Sequence, residues 1–126
     1  MKVPKSSNGL YQLDFTVTGK RKSKVLKGII DTGSTHCACT FKVITTLQIR
    51  PIEWGKISSV HKTERVLIYS AIVGFDGKKM TVPFARVPQI LPESTTPNDI
   101  HIIIGLDVLS ECVLNFESDC LDIKWK

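Results

Sequence analysis

Short stretches in which apolar and polar residues alternate run through much of the chain, and they constrain its fold more than any other feature. From Tyr11 to Val17 every second residue is apolar, which is typical of a half-buried β-strand. Residues Arg65 to Phe75 and Met80 to Val87 flank Asp76-Gly77, a dipeptide that accepts the positive φ angles of a type I′ hairpin turn. The pattern therefore predicts an all-β fold built largely from hairpins.

The other predicted elements are short, and no repeat or linker separates them. With 126 residues the chain is long enough to bury one core, so residues 1–126 are predicted to form a single domain. The remaining predicted elements are strands at Val25–Ile30, Ile100–Ile104, Val113–Phe116 and Cys120–Trp125, a helix at Phe41–Leu47 stopped by Pro51, a helical turn at Leu106–Ser110 and a loop at Pro88–Asn98.

The net charge of +5 comes from one segment. Five of the 17 basic residues surround the predicted first turn, and the others balance the acids; the five are Lys20, Arg21, Lys22, Lys24 and Lys27. Nucleic-acid-binding segments commonly interleave aromatic residues with such charges, and this one has none. We interpret it as a solvated hairpin tip and therefore predict no nucleic-acid partner. Nucleic-acid binding through this segment is the least favoured of the three functions that we consider.

Neither a targeting segment nor a membrane span is visible in the sequence. Residues 1–8 carry positive charge but are not followed by an apolar core, as a signal peptide would be. The longest apolar stretch, Ile100 to Leu106, is interrupted by His101 and is far shorter than the roughly 20 residues that span a bilayer. We therefore expect a cytoplasmic protein with no membrane partner.

The four cysteines have a spacing that does not favour a metal site. Cys37 and Cys39 form a C-x-C pair, and Cys112 and Cys120 lie eight positions apart, whereas zinc sites usually repeat a C-x2–4-C spacing. We predict no metal and interpret the cysteines as small apolar core or strand residues in a reducing compartment.

The segment Ile29-Ile30-Asp31-Thr32-Gly33-Ser34 places a carboxylate directly after a buried apolar strand. Burying a carboxylate without partners costs several kcal/mol, so packing alone does not explain this aspartate. Gly33 allows the backbone to approach the carboxylate, and Thr32 and Ser34 offer hydroxyl groups. The turn therefore fixes Asp31 in space and surrounds it with hydrogen-bonding groups, although the same four letters also occur in plain turns.

A second segment, Ile102-Ile103-Ile104-Gly105-Leu106-Asp107, follows 71 residues after Asp31. Together the two segments resemble those of the retropepsin-like aspartic proteases, in which an Asp-Thr-Gly turn is paired with a later apolar strand ending in Gly and a short helix. Cys112 to Phe116 is also similar to the end of the retroviral enzymes. The resemblance implies a closed β-barrel or sandwich with one or two short helices.

The resemblance also implies roles for individual residues. Asp31 matches the catalytic aspartate, Thr32 the threonine whose hydroxyl bonds across the dimer axis, and Gly33 the glycine whose N–H faces the carboxylates. Ser34 matches a position that is often Ala in retroviral members, and an extra donor there implies a more acidic pH optimum. Asp107 stands where relatives vary, and we expect it to cap a helix or form an ion pair.

One aspartate is not enough for this chemistry. Peptide hydrolysis by this route needs one carboxylate that takes a proton from water and a carboxylic acid that donates one to the carbonyl oxygen. Asp-Thr-Gly occurs once in the sequence; Asp76 lies in the predicted hairpin turn, and Asp119 and Asp122 lie near the end of the sequence. The active dyad is therefore predicted to come from two copies of Asp31 in a homodimer, with water as nucleophile and no cofactor.

The flap is the main departure from the family. Members cover the substrate with a mobile hairpin that is often glycine-rich at its tip, and the corresponding region here, Ile57 to Arg65, has no glycine at its expected tip. The resemblance places Ser59, Val60 and His61 there as candidate substrate-binding residues. His61 is better explained as an exposed loop histidine.

Two functions from different classes follow from these observations. The first is an aspartic endopeptidase that acts on a peptide or protein substrate. The alternative is a catalytically weak peptide-binding or dimerisation module on the same fold, which the atypical flap favours and the intact Asp31-Thr-Gly-Ser turn disfavours.

Overall fold

A computed structural model describes residues 1–58, 61–90 and 100–126 of the chain. Within these ranges the secondary structure is almost entirely β, with two short helices. The elements are β1 (Lys2–Pro4), β2 (Tyr11–Thr18), β3 (Ser23–Ile30), β4 (Cys37–Thr40), α1 (Phe41–Leu47), β5 (Pro51–Ser58), β6 (Thr63–Phe75), β7 (Lys78–Val87), β8 (Ile102–Ile104), α2 (Leu106–Leu109), β9 (Cys112–Phe116) and β10 (Cys120–Trp125).

Six of these strands close into a barrel. Their hydrogen-bonded order is β2-β3-β8-β4-β7-β6, and β2 also pairs with β6 from Thr16↔Gly74 to Thr18↔Ile72, so that the first strand meets the last. Strand β5 lies outside the barrel as the antiparallel partner of β6. The predicted all-β fold with a closed barrel and short helices is confirmed.

The hairpin between β6 and β7 forms as the sequence predicts. Asp76 and Gly77 connect the strands, and their φ angles of 49° and 80° are both positive, as a type I′ turn requires. The strongly basic segment likewise lies in a hairpin: Lys20, Arg21 and Lys22 are exposed in the turn between β2 and β3.

Two parallel strand pairs build the part of the barrel that carries the Asp31 turn. β3 pairs with β8 from Gly28↔Ile102 to Ile30↔Ile104, and β4 pairs in parallel with β7. A Cβ on residue 28 would lie 2.5 Å from Cγ1 of Ile102, so this register needs a glycine there. Because parallel strands end at the same edge of the sheet, Asp31 and Gly105 are neighbours.

The last strand, β10, lies at the centre of a separate three-stranded sheet in the order β1-β10-β9. The ring of Trp125 connects this sheet to the barrel. It stacks on Phe75 with the ring centroids 4.5 Å apart, and its Nε1–H donates to the Phe75 carbonyl oxygen at 2.8 Å. The predicted strand Cys120–Trp125 is therefore confirmed.

One hydrophobic core joins the barrel and this sheet. The alternation in β2 has its expected effect, because Phe15 and Val17 are fully buried while Thr16 between them is exposed. Three of the four cysteines are also buried, and all four are free. The interpretation of the cysteines as core or strand residues is thus confirmed.

Several sequence-based bounds were wrong. Strand β5 was missed because its exposure hardly alternates, six of its eight residues being exposed, so burial gives it no period-two signal. Helix α1 has the predicted bounds but is ended by Gln48, whose φ is 54°, rather than by Pro51. The strand predicted from Ile100 begins only at Ile102, and part of the predicted loop at Pro88–Asn98 lies outside the described residues.

Neither helix in the described ranges has the length and apolar character needed to cross a membrane.

Candidate active site

The Asp31 turn begins where β3 leaves the barrel. The backbone N–H of Asp31 donates to the carbonyl oxygen of Ile104 at 3.0 Å, at the end of the parallel pair formed by β3 and β8. Ile30 and Ile104 are both buried, so this start of the turn is fixed by the core. The sequence prediction that a buried strand presents Asp31 on a turn agrees with this geometry.

The carboxylate of Asp31 is oriented by the backbone that follows it. The N–H of Gly33 donates to Asp31 Oδ1 at 2.9 Å, and the N–H of Ser34 donates to the backbone carbonyl of Asp31 at 3.2 Å. Asp31 is half-buried, and its Oδ2 accepts no hydrogen bond from the residues that the structure describes. One carboxylate oxygen is therefore fixed and the other is open to water or to another carboxyl group.

The Ser34 hydroxyl does not serve the carboxylate in the single chain. Its Oγ donates to the carbonyl oxygen of His36 at 2.6 Å, so it ties the turn to the strand that follows. The expected extra donor to the carboxylate, and with it the support for a more acidic pH optimum, is not found. The hydroxyl of Thr32 is exposed and bonds to no described residue.

Gly105 lies in close backbone contact with the Asp31 turn. A Cβ at this position would lie 2.5 Å from the carbonyl oxygen of His36 and 2.6 Å from that of Ser34, which no side chain tolerates against backbone. The N–H of Leu106 donates to the same Ser34 carbonyl at 2.8 Å. The two segments that the sequence singled out are thus in direct backbone contact.

Asp107 stabilises the outer side of the turn. Its Oδ2 lies 3.3 Å from Nδ1 of His36 and accepts the N–H of Cys37 at 3.4 Å. The expected partner of Asp107 is therefore His36, which forms an ion pair with it when the imidazole is protonated, whereas the helix N-cap of α2 is Gly105 and not Asp107. His36 was not predicted as a site residue, because a lone histidine after the turn gives no signal in the sequence.

The two cysteines near the turn, Cys37 and Cys39, are buried and hold their thiols in the neutral form. Burial raises the pKa of the Cys37 thiol and of the Cys39 thiol to about 12, so both are neutral near pH 7. Among the residues that the structure describes, no three His, Cys, Asp or Glu side chains cluster as metal ligands would.

A cleft of about 450 Å³ lies between the Asp31 turn and the β5–β6 hairpin. The turn contributes the residues from Gly33 onward, the hairpin contributes three residues, and strands β4, β7 and β8 form the rest. The lining residues are Gly33, Ser34, Thr35, His36, Cys37, Ala38, Lys56, Ile57, Ser58, Ala85, Val87 and Ile103.

The hairpin over the cleft is longer than the flap predicted at Ile57–Arg65. Its strands pair from Pro51↔Tyr69 to Ser58↔Thr63, where the two terminal hydroxyl groups lie 3.1 Å apart. Of the candidate flap residues, Ser59 and Val60 lie outside the described residues. His61 is described and exposed, but does not line the cleft.

The residues of the hairpin that do line the cleft are Lys56, Ile57 and Ser58. Ile57 and Ser58 fall within the predicted flap region, but Lys56 was missed because β5 itself was not predicted. Lys56 forms no ion pair with a described residue, and it lines the cleft together with His36.

The three-dimensional similarity of the chain is to a known protease fold. No protein-family model and no curated protein sequence matches the chain. A crystal structure of a retropepsin-like aspartic protease from Rickettsia conorii superposes with a TM-score of 0.71 and 13% sequence identity, over 99% of this chain and 89% of that chain. The chain therefore has the retropepsin-like fold.

Proposed function

We propose that the chain is an aspartic endopeptidase whose active form is a homodimer of this single domain. The observation that carries the proposal is the Asp31 carboxylate, with one oxygen bonded to the Gly33 N–H and the other open, beside a cleft covered by a hairpin. The retropepsin-like fold supports the same reaction class, because the similar structure is that of an aspartic protease.

Two copies of Asp31 would supply the acid and the base. Carboxyl groups about 3 Å apart share a proton, so one is ionised and one protonated. The ionised carboxylate takes a proton from water, and the water oxygen attacks the carbonyl carbon while the protonated carboxyl donates to the carbonyl oxygen. The C–N bond then breaks, and the amine leaves with a proton from the dyad. The reaction consumes one water and needs no cofactor.

The surface around the turn is suited to a second copy. Thr32 and Gly33 are exposed, and large apolar side chains lie nearby. Leu106 is 42% exposed beside the turn, and Phe116 is 54% exposed and packs edge-on against Tyr11, with the ring centroids 5.7 Å apart. A dimer with Asp31 near its two-fold axis would cover these side chains, which is favourable by the hydrophobic effect.

The terminal sheet leaves two edges for such a dimer. Because β10 lies between β1 and β9, it has no free edge, whereas β9 and β1 each pair on one side only among the described strands. Phe116 lies at the end of β9. We therefore assign the edge of β9 to the contact between the two copies. The last strand, β10, would not take part in this contact, because both of its edges are already paired.

The proposed substrate is a polypeptide bound in extended form. The hairpin of β5 and β6 covers the cleft with strand backbone, which recognises an extended chain by main-chain hydrogen bonds. Ile57, Val87 and Ile103 give the cleft apolar walls.

The four free cysteines fit a reducing compartment such as the cytoplasm.

The substitution Asp31→Asn tests the proposal. Cleavage of a diverse peptide library between about pH 3 and pH 7 should be abolished, because one amide pair replaces the proton-sharing dyad, while sedimentation still shows the dimer. Asp119→Asn is the matched control, since Asp119 is exposed and far from the turn in the sequence. Cleavage by purified Asp31→Asn dimers at the wild-type rate would overturn the mechanism.

The alternative, a peptide-binding or dimerisation module, rests on the lack of glycine in residues 58–62. The same experiment separates it from the protease. If the wild-type chain dimerises and binds a statine-type peptide but cleaves no member of the library, the module is correct and the enzyme is not.

A further inference from the structure

A second groove, which we call the aromatic groove, lies next to the cleft on the β5–β6 hairpin. Its volume is about 460 Å³. The residues that give it its character are Phe41, Trp54, Arg65 and Arg86, together with Val66 and Val87. Phe41 is 61% exposed and Trp54 is 59% exposed. Single exposed apolar residues are common on protein surfaces, but here two exposed aromatic rings line the same groove.

A guanidinium group covers each of the two rings. The Arg65 guanidinium lies 4.8 Å from the centroid of the Trp54 ring, and the Arg86 guanidinium lies 5.8 Å from that of Phe41. Stacking uses the face of a guanidinium and leaves its in-plane N–H groups free to donate. Neither arginine forms an ion pair with a carboxylate in the described part of the chain, so both can bind one from outside.

The aromatic groove continues the cleft beside Asp31. Val87 lines both of them. Across the hairpin, Lys56 of the cleft stands directly opposite Arg65 of the groove in the register of β5 and β6. Like charges that face one another on a sheet are destabilising, and an anionic ligand at this point would offset their repulsion.

The acid that lines the groove among the described residues is already paired with a lysine. Among its described lining residues Glu64 alone carries negative charge, and it forms an ion pair with Lys62. The groove therefore has an excess of positive charge among its described residues, because it contains two arginines and Lys56 is adjacent to them. Charge complementarity points to an acidic ligand, and the rings point to one that also carries an apolar or aromatic side chain.

We propose that the aromatic groove binds an acidic segment of the polypeptide substrate, outside the part that lies beside Asp31. This inference rests on the proposed protease function, because continuity with the cleft is what favours a polypeptide over a nucleic acid. The preferred substrate class is thus an extended polypeptide with Glu or Asp and an aromatic side chain flanking the cleaved bond.

Binding to the full-length Asp31→Asn chain tests the proposal without cleavage. The first probe is the shortest peptide that the wild type cleaves. The second is the same peptide extended at either end by a segment with two Glu and one Phe. The third is the extended peptide with both Glu residues replaced by Gln. At low salt the Glu-containing extension at one end should tighten binding about tenfold, as charge-assisted hydrogen bonds to arginine do. It should also change the fluorescence of Trp54, and added salt should reduce the gain.

Paired variants then locate the effect. In Asp31→Asn with Arg65→Gln and Arg86→Gln, the tenfold gain should disappear while the unextended peptide binds as before. Arg21→Gln in the same background is the matched control, since Arg21 lies exposed in the β2–β3 turn. Unchanged binding of the unextended peptide shows that the chain still folds.

Other outcomes overturn the inference. If the Glu and Gln extensions bind equally, or if the gain persists without both arginines, the groove does not bind acidic segments. Cleavage by the wild type would still support the proposed protease function in that case. Tighter, Arg65-dependent binding of a single-stranded oligonucleotide would make the groove a nucleic-acid site. If the wild type cleaves nothing, the acidic segment alone is the probe. Binding of this segment that depends on Arg65 and Arg86 would then support the groove although the protease function is wrong, and no binding would overturn both.

Discussion

The backbone N–H of Gly33 donates a hydrogen bond to Oδ1 of Asp31 at 2.9 Å, and a Cβ on residue 33 would lie 3.3 Å from the same oxygen. The glycine therefore sets how closely the chain approaches its own carboxylate. Any side chain at this position must displace the carboxylate by a few tenths of an ångström, so the orientation of Asp31 and the identity of residue 33 are coupled.

The substitution Gly33→Ala is expected to lower kcat/KM about tenfold, because small displacements of a reacting group are costly. The melting temperature should change little, since the neighbouring atom belongs to a partly exposed side chain. Gly74→Ala is the control: its Cβ would also lie 3.3 Å from a neighbour, Cβ of Lys79, but in a hairpin remote from the turn. An equal loss of activity in both variants would contradict the prediction.

Gly105→Ala is expected to destabilise the fold as well as the site. Its Cβ would meet the backbone carbonyl oxygens of Ser34 and His36 at 2.6 and 2.5 Å, and backbone does not move aside as a flexible side chain does. We expect a loss of about 2–3 kcal/mol in the free energy of unfolding, measured by urea denaturation. A loss no larger than that of Gly33→Ala would show that the two segments are not locked together.

Trp125→Phe tests the connection between the terminal sheet and the barrel. The change keeps the ring contact with Phe75 but removes the Nε1–H that bonds to the Phe75 carbonyl, so the free energy of unfolding should fall by about 1–2 kcal/mol. Trp54→Phe is the control on an exposed tryptophan and should change it by less than about 0.5 kcal/mol. Equal effects would mean that the hydrogen bond contributes nothing.

Thiol reactivity should follow burial. With a pKa of about 12, only about one in ten thousand Cys37 or Cys39 thiols is ionised at pH 8. Cys120, which is half-buried, should react with iodoacetamide first, as peptide mass spectrometry would show. In urea all four cysteines should react alike; modification of Cys37 in the folded chain as fast as Cys120 would contradict the structure.

Acid should loosen β1. Hydrogen bonds from Cys120 and Lys2 hold the pKa of Glu117 below its ordinary value of 4.5. A carboxylate with a lowered pKa stabilises the fold above that ordinary value, and its contribution is lost as the pH falls through the lowered pKa. Amide protection factors in β1 should therefore fall between pH 6 and pH 3.

Glu117→Gln is the control for this pH effect. The Met1 ammonium, 3.3 Å from Asp122, also ties β1 to β10, so the readout is the difference between the wild type and the variant. The variant should begin with lower protection at pH 6 and lose less of it in acid. Identical pH profiles would show that Glu117 does not hold the strand.

Local pattern predicted most of the fold. The alternation around Phe15 and the Asp76-Gly77 turn act over a few residues, so their conformation is readable from the sequence. Strand β5 was not readable, because it packs on one side of β6 and leaves Trp54 exposed, which erases the period-two pattern. The left-handed Gln48 was equally hidden, since no residue type there demands that conformation.

The candidate site was predictable where the chemistry lies within one turn. Asp31 and Gly33 are adjacent in sequence, and their contact follows from the motif. The contribution of Gly105 depends on two strands meeting in register, and that of Lys56 depends on a hairpin folding over the cleft. His36 and Asp107 are linked only through tertiary structure, so no local signal pairs them.

The parallel pairing of β3 with β8 ties the formation of the site to the completion of folding. The N–H of Asp31 bonds to the carbonyl of Ile104, a residue far along the chain, and such distant contacts form slowly and late. When Asp31 has emerged from the ribosome but Ile104 has not, the Asp31 N–H lacks the carbonyl oxygen to which it bonds in the folded chain. Synthesis order thus leaves the Asp31 turn without this hydrogen bond until Ile104 has been made.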